Sequence, residues 1–150
     1  IITDHFSYLE LPVDRVTDVL AVRVIEATAT GRPAFVAHFR QRGNGGVREL
    51  VCAWTLRADG GFQRTIAVEV AKQLGDNSLR SGWKLVARAG QKARGRGKRR
   101  VEAVAAGTDL VIEPGEVIGW DEDSYEETPA ADVTPILTPW GAEQRAVFSL

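Results

Sequence analysis

Short alternating apolar runs, separated by glycine-rich turns, constrain the fold of this chain more than any other feature of its sequence. Residues 19–27 are rich in β-branched side chains and alternate only roughly. Residues 34–42 alternate, with Phe35, Ala37 and Phe39 on one face of the predicted strand and Val36, His38 and Arg40 on the other. Turns are predicted at 30–33, 43–46 and 58–61, because each contains glycine, which accepts the positive φ angles of tight hairpins. We therefore predict an antiparallel meander of four strands in the first half of the chain.

Strand patterns continue in the second half, although they are less regular. The segments with this pattern are 83–88, 101–105, 108–112, 117–120 and 146–148. A type II turn is predicted at 113–116, because Pro114 fixes φ and Gly115 accepts a positive value. Short helices are predicted near 12–20 and in 68–74, the latter as a strand that runs into a helical turn. The predicted fold is mainly β, an antiparallel meander of about seven to nine strands closing toward a barrel or sandwich, with one or two short helices.

The size and composition of the chain predict one soluble domain. Its 150 residues, 44% hydrophobic and 26% charged, are typical of a globular protein with a sizeable core. We predict a single β-rich domain over 1–150, in which the acidic and proline-containing residues 120–140 run extended over the surface. The single cysteine, Cys52, lies in an apolar run and is predicted to be buried, in a reducing compartment. We also predict no membrane partner and a cytoplasmic or other intracellular location, because apolar stretches are short and no signal-peptide pattern is present.

Charge is distributed very unevenly along the chain. Residues 1–79 contain nine Lys/Arg and nine Asp/Glu, whereas residues 80–100 contain nine Lys/Arg and no acid. Residues 101–144 contain eleven acids and no Lys/Arg, so the net charge of −1 conceals two opposite blocks. Blocks of like charge repel themselves unless a partner neutralises them, and they commonly mark interaction segments.

The basic block is the strongest candidate for a binding site. Its predicted polyanion-binding residues are Lys84, Arg88, Lys92, Arg94, Arg96, Lys98, Arg99 and Arg100. Glycine and alanine separate several of these side chains, so a loop or hairpin tip here could follow a phosphate chain, with each Arg binding phosphate bidentately. No aromatic residue lies between Lys84 and Trp120, so stacking on single-stranded bases is not indicated. The leading hypothesis is a non-enzymatic binding or assembly module whose partner is nucleic acid or another polyanion; a solvated loop is the simpler alternative.

A second hypothesis is a structural subunit of a homo-oligomer, of the virion or shell type. The two opposite charge blocks, if they lie at different ends of the fold, would suit head-to-tail association of copies. If strand pairing instead brings them side by side, they neutralise each other within one chain. The sequence leaves both arrangements open.

A third hypothesis concerns Asp59, Glu69 and Lys72. The stretch containing them resembles the PD-(D/E)xK class of nucleases, in which two acids hold a divalent metal and a lysine stabilises charge on the attacking water or phosphate. The resemblance implies metal-dependent cleavage of nucleic acid by these three residues. Two departures weaken it: Asp59 lies in an Asp-Gly-Gly turn, and the spacing Glu-x-x-Lys sends the lysine to the opposite face of a strand. A helical turn at 69–72 would restore the geometry.

No metal site or cofactor is predicted from the remaining residues. His5 and His38 have no third ligand at metal-site spacing, and the acidic residues 121–127 lack the glycine-centred turn of a calcium loop. Enzymatic activity is left open, with a binding role favoured over it.

Overall fold

Within the described residues, seven strands form one antiparallel sheet in which each strand pairs with its neighbours in the sequence. The computed structural model describes residues 9–43, 46–119 and 146–150. The strands are β1 (Val19–Ile25), β2 (Ala34–Gly43), β3 (Gly46–Leu56), β4 (Phe62–Leu74), β5 (Asn77–Arg88), β6 (Gly107–Ile118) and β7 (Ala146–Ser149). The predicted mainly β meander is confirmed, as is the final strand expected at 146–148. The surface segment predicted at 120–140 lies outside the described residues.

The sheet is packed on both faces. One apolar cluster draws on β1, β2, β3, β4 and β6 and on the C-terminal residue: Ile25, Ala34, Val36, Val51, Ala53, Ile66, Val68, Val70, Leu110, Ile112 and Leu150. Trp83 and Leu85 of β5 are packed against it. A second cluster lies on the other face and contains Ala37, Phe39, Leu50, Cys52, Trp54 and Ala67, with Leu9, Leu11 and Val13 packed against it. Successive residues of a strand point to opposite faces, so the neighbours Val51 and Cys52 belong to different clusters. Cys52 is fully buried, as predicted.

The two edges of the sheet approach each other at one end without forming a closed barrel. The backbone N–H of Ala29, just beyond β1, donates to the carbonyl of Leu150 at 3.0 Å. The Thr108 hydroxyl, at the start of β6, donates to the carbonyl of Ala27 at 2.8 Å. These bonds join the end of β1 to β6 and the C-terminus, so the first apolar cluster becomes the interior of a curved sheet.

The helix predictions are only partly met. Among the described residues the helical segments are two 3-10 turns, Val16–Asp18 and Gly97–Arg99, and the first of these falls within the segment predicted at 12–20. The helical turn predicted within 68–74 is wrong, because β4 continues to Leu74. The mixed strand and helix periodicity of residues 68–74 comes from a β-bulge at Val70. Leu50 pairs with Glu69 and Glu49 pairs with Ala71, so Val70 is an extra residue without a partner on β3. No helix in the described part of the chain has the length and apolarity to cross a membrane.

The turn predicted at 113–116 is also wrong, because these residues lie inside β6. They pair with β5 at a second irregularity, where Arg80 is opposite Glu116 and Gly82 is opposite Glu113. A Cβ atom on Gly115 would overlap the carbonyl group of Arg80. Gly115 therefore serves close backbone approach within a sheet, which is the other common use of glycine in strands.

Replacing Gly115 should weaken this hairpin. We expect Gly115→Ala to lower the free energy of unfolding by about 1–3 kcal/mol, because the added methyl group forces the two backbones apart. The matched control is Gly82→Ala in the same ladder, where the nearest atom to the new Cβ would be the Glu113 Cβ at 3.9 Å. Urea unfolding of both variants checks this. Equal unfolding midpoints for Gly115→Ala and the wild-type protein would contradict it.

Candidate functional site

Residues 89–106 leave the sheet between β5 and β6 as a two-stranded arm, called here the basic arm, in which every residue is exposed. Gln91 and Val104 exchange two backbone hydrogen bonds of 2.8 Å, and Arg94 and Val101 exchange two of 2.7 and 3.0 Å. The β5–β6 ladder ends at the pair Arg88–Gly107. The two pairs of the arm lie three and six residues beyond it on each strand, so they continue the same register. The basic arm is therefore an extension of the β5–β6 hairpin. The strand predicted at 101–105 is its returning half, and the strand predicted at 108–112 is part of β6.

Two glycines make the tip of the arm tight. The 3-10 turn Gly97–Arg99 closes it, with hydrogen bonds from the Arg99 and Arg100 N–H groups to the carbonyls of Arg96 and Gly97. Gly95 and Gly97 have φ angles of +83° and +59°, which other residues rarely adopt. A Cβ atom on Gly95 would also lie 2.6 Å from the carbonyl oxygen of Arg99. The tip therefore has a defined backbone, and the basic residues Arg96, Lys98 and Arg99 lie on it.

The predicted polyanion-binding residues divide into two groups. Lys84 and Arg88 belong to β5 below the arm, and both are engaged there: Lys84 Nζ lies 3.2 Å from Glu113 Oε1, and Arg88 forms an ion pair with Asp109. The other six lie in the basic arm. Arg100 Nε is 3.4 Å from Glu102 Oε1, an exposed pair. The residues that form no ion pair with another described residue are Lys92, Arg94, Arg96, Lys98 and Arg99.

Among the described residues, the two charge blocks are therefore only partly paired. Glu113 and Asp109 belong to the acidic block and neutralise Lys84 and Arg88 at the base of the hairpin. Beyond that base, residues 89–106 carry six positive side chains and one negative side chain, Glu102. The acids at 121–143 lie outside the described residues. Within the described chain, the arm keeps a large positive excess.

A second set of polar residues lies on the concave face of the sheet, and no sequence pattern indicated that they meet. The Trp83 indole N–H donates to His38 Nδ1 at 3.1 Å, and an indole nitrogen can only donate. His38 Nδ1 is therefore the unprotonated nitrogen, and Nε2–H donates to Glu49 Oε1 at 2.8 Å. Arg80 Nη2 donates to the other oxygen of Glu49 at 3.0 Å. The network joins the β2–β3 hairpin to β5, where Arg80 lies 31 residues beyond Glu49 in the sequence.

The carboxyl group of Glu49 is electrostatically tuned by this network. The hydrogen bond from His38 lowers its pKa most, burial opposes this, and the Arg80 charge lowers the pKa further. The net result is a pKa below the ordinary value of 4.5. A carboxylate with a depressed pKa stabilises the fold above the ordinary pKa, and this contribution is lost as the pH falls through the lowered value.

A cleft of about 530 Å³ opens beside this network, at the end of the sheet opposite the basic arm. Its charged lining residues are Arg40, Arg42, Glu49, Lys72, Arg80 and Glu116. Asp18 Oδ1 lies 3.5 Å from Arg42 Nη2 and 4.0 Å from Arg40 Nη1, while Glu49 holds Arg80. Each of these arginines therefore has a carboxylate of the same chain beside it, which distinguishes the cleft from the basic arm.

In the structure, Asp59 lies far from the other two residues of the nuclease hypothesis, Glu69 and Lys72. Asp59 is exposed in the β3–β4 turn, where its Oδ1 accepts a 2.9 Å hydrogen bond from the Gly61 N–H and lies 3.3 Å from Arg57 Nε. The Gly61 hydrogen bond is the main reason that the pKa of Asp59 is lowered. Glu69 is seven positions beyond Phe62 along β4, about 23 Å at the rise of an extended strand. Asp59 and Glu69 therefore do not meet in one site.

Glu69 and Lys72 do share a face, contrary to the prediction. Leu50 pairs with Glu69 and Arg48 pairs with Lys72, and the bulge at Val70 brings both onto the side of Arg48 and Leu50. The reason is a β-bulge and not the helical turn that the sequence suggested. Arg48 Nη1 lies 3.6 Å from Glu69 Oε2, and both side chains are 2% exposed. This arrangement is a buried ion pair inside the sheet.

Metal and family comparisons add no further assignment. In residues 9–43, 46–119 and 146–150, no group of three or more His, Cys, Asp or Glu side chains is close enough to hold a metal ion. His5 and the acidic residues 121–127 lie outside these ranges. Comparisons with protein families, curated proteins and solved structures gave no match. Function must therefore be inferred from the geometry of the chain itself.

The Glu49 network should make stability depend on pH in a specific direction. We expect Glu49→Gln to lower the free energy of unfolding at pH 7 by about 1–3 kcal/mol, because hydrogen bonds to a charged group are lost. The difference from the wild-type protein should shrink as the pH falls from the ordinary Glu49 pKa of 4.5, where the unfolded chain takes up the proton, through the lowered pKa, where the folded carboxylate does. Urea unfolding at neutral and acidic pH measures this.

The matched control for this experiment is Glu26→Gln, because Glu26 is an exposed glutamate. Its stability should follow that of the wild-type protein at every pH. A Glu49→Gln deficit that is equally large at pH 7 and at pH 3 would show that ionisation of Glu49 does not stabilise the fold.

Proposed function

We propose that this protein is a nucleic-acid-binding module that contacts phosphate groups with its basic arm. The observation that carries the proposal is the charge of the arm: five positive side chains, on a fully exposed hairpin, form no ion pair with another described residue. By contrast, Lys84, Arg88 and the arginines of the cleft are held by carboxylates. An intracellular location belongs to the same proposal, because the single cysteine Cys52 suits a reducing compartment.

The construction of the arm favours binding over a merely solvated loop. Its two hydrogen-bonded pairs and its glycine tip fix the backbone, so less conformational entropy is lost when a ligand binds. Arg94, Arg96 and Arg99 present guanidinium groups, which bind phosphate oxygens bidentately. Each phosphate that they neutralise releases condensed counterions, and this release drives association at moderate salt.

Salt dependence tests this proposal directly. If all five of these arm cations contact phosphates of duplex DNA, the logarithm of the binding constant should fall against the logarithm of salt concentration with a slope of about −4.5. Replacing Arg94 and Arg96 by Gln should make that slope shallower by about 2 and weaken binding at every salt concentration. Fluorescence anisotropy with a random oligonucleotide duplex provides the measurement.

The control removes two charges elsewhere: Arg23→Gln combined with Arg32→Gln, both exposed residues outside the arm. It should bind with the wild-type slope. Equal affinity and slope for the arm variant and the wild-type protein would rule out the arm as the contact site.

Self-association is a second candidate function, and the edge strand β1 favours it. Among the described residues β1 pairs only with β2, and Leu20, Val22 and Val24 are 39%, 39% and 65% exposed on it. An exposed apolar edge is a template for pairing with another strand. A second copy of the chain, as in a homo-oligomeric shell, would satisfy it.

Sedimentation tests the second candidate. We expect the wild-type protein to show concentration-dependent association and Val24→Lys to shift it toward the monomer, because a charge on an edge strand opposes pairing. A wild-type protein that is monomeric at all concentrations would remove this candidate while leaving the nucleic-acid proposal intact.

A further inference from the structure

The cross-section of the basic arm restricts which nucleic acid it can enter. Paired strands lie about 4.8 Å apart, and the major groove of B-form DNA, about 12 Å wide and 8.5 Å deep, admits a two-stranded ribbon. The minor groove is only about 6 Å wide. From Ala89 to the tip at Gly97 the arm can extend up to about 26 Å at the rise of a strand. That length exceeds the depth of the groove, so the tip can reach its floor while the sheet stays outside.

The side chains of the arm argue against single strands and against duplex RNA. Residues 89–106 contain no Phe, Tyr, Trp or His, so the arm offers no ring on which an unpaired base could stack. The major groove of an A-form RNA duplex is deep and narrow, and side chains do not read it. B-form DNA is the form whose open groove suits a ribbon without aromatic residues.

The returning strand of the arm adds an apolar component. Val101 and Val104 are 43% and 42% exposed, and Val101 is paired directly with Arg94. In the major groove, arginine binds guanine O6 and N7, and apolar side chains contact the thymine methyl group. Both kinds of side chain are thus present together on one narrow hairpin.

We propose that the basic arm binds double-stranded DNA by entering its major groove. The inference rests on the proposed nucleic-acid function and specifies its partner. The contact ends at the base of the hairpin, where Glu113 and Asp109 neutralise Lys84 and Arg88 and leave these pairs without net positive charge to attract phosphates. The depth of insertion is therefore limited by the loss of electrostatic attraction as well as by the width of the sheet.

The first experiment compares one sequence prepared as duplex DNA, as single-stranded DNA and as duplex RNA, at a single salt concentration. We expect the full chain to bind the DNA duplex at least about tenfold more tightly than the other two forms, equivalent to about 1.4 kcal/mol. Heparin serves as a polyanion without grooves.

The second experiment locates the groove by dimethyl sulfate footprinting. Guanine N7 lies in the major groove and adenine N3 in the minor groove. We expect the wild-type protein to protect N7 and leave N3 reactive. The Arg94→Gln, Arg96→Gln variant should lose this protection, whereas the Arg23→Gln, Arg32→Gln control should keep it. Circular dichroism of each variant establishes that it is folded.

The outcomes separate the inference from the proposed function. Equal binding to all three nucleic acids and to heparin, without N7 protection, would overturn major-groove binding while the arm still contacts polyanions. Protection of adenine N3 alone would overturn it in favour of the minor groove. Absence of binding to every nucleic acid would overturn both the inference and the proposed function.

Discussion

The antiparallel register between β5 and β6 is the constraint on which the rest of this structure depends. The same register runs from Gly82–Glu113 through Arg88–Gly107 to Arg94–Val101, so one ladder begins in the core and ends in the basic arm. Trp83 and Leu85 on β5, with Leu110 and Ile112 on β6, anchor the lower half of that ladder in the apolar interior. A hairpin without such a base is marginal in water. The buried half of the ladder thus supports the exposed half.

That ladder also sorts the charges. Where β5 and β6 are paired in the sheet, positive side chains on one strand meet carboxylates on the other, as in Lys84–Glu113 and Arg88–Asp109. Beyond the sheet the returning strand carries small and apolar residues with a single acid, Glu102, so within the described residues the positive charges of the outgoing strand meet no carboxylate on the strand opposite. Exposed ion pairs contribute little to stability, about 0–1 kcal/mol each. Their consequence here is to confine the positive potential to the arm.

The sequence was informative where structure is local. Alternating residues and glycine turns predicted the meander from β1 to β4, and composition alone located the basic segment. It failed where the outcome depends on a partner strand: the bulge at Val70 and the close approach at Gly115 arise from pairing that no local pattern encodes. The Trp83–His38–Glu49 network was not predicted for the same reason, because its residues come from three strands. The sequence likewise could not predict which cations have a carboxylate beside them, because this depends on the register between β5 and β6.

Because the convex face of the sheet is covered, the single thiol, Cys52, can serve as a probe of local opening. Cys52 has no exposed surface and belongs to the cluster that Leu9, Leu11 and Val13 cover. A thiol reagent can reach it only when that N-terminal segment detaches or when the sheet opens, since the other face of β3 is packed as well. The rate at which Cys52 is alkylated therefore measures how often the structure around it opens, and no label has to be introduced. Because the chain has no second cysteine, the signal would report that one event alone.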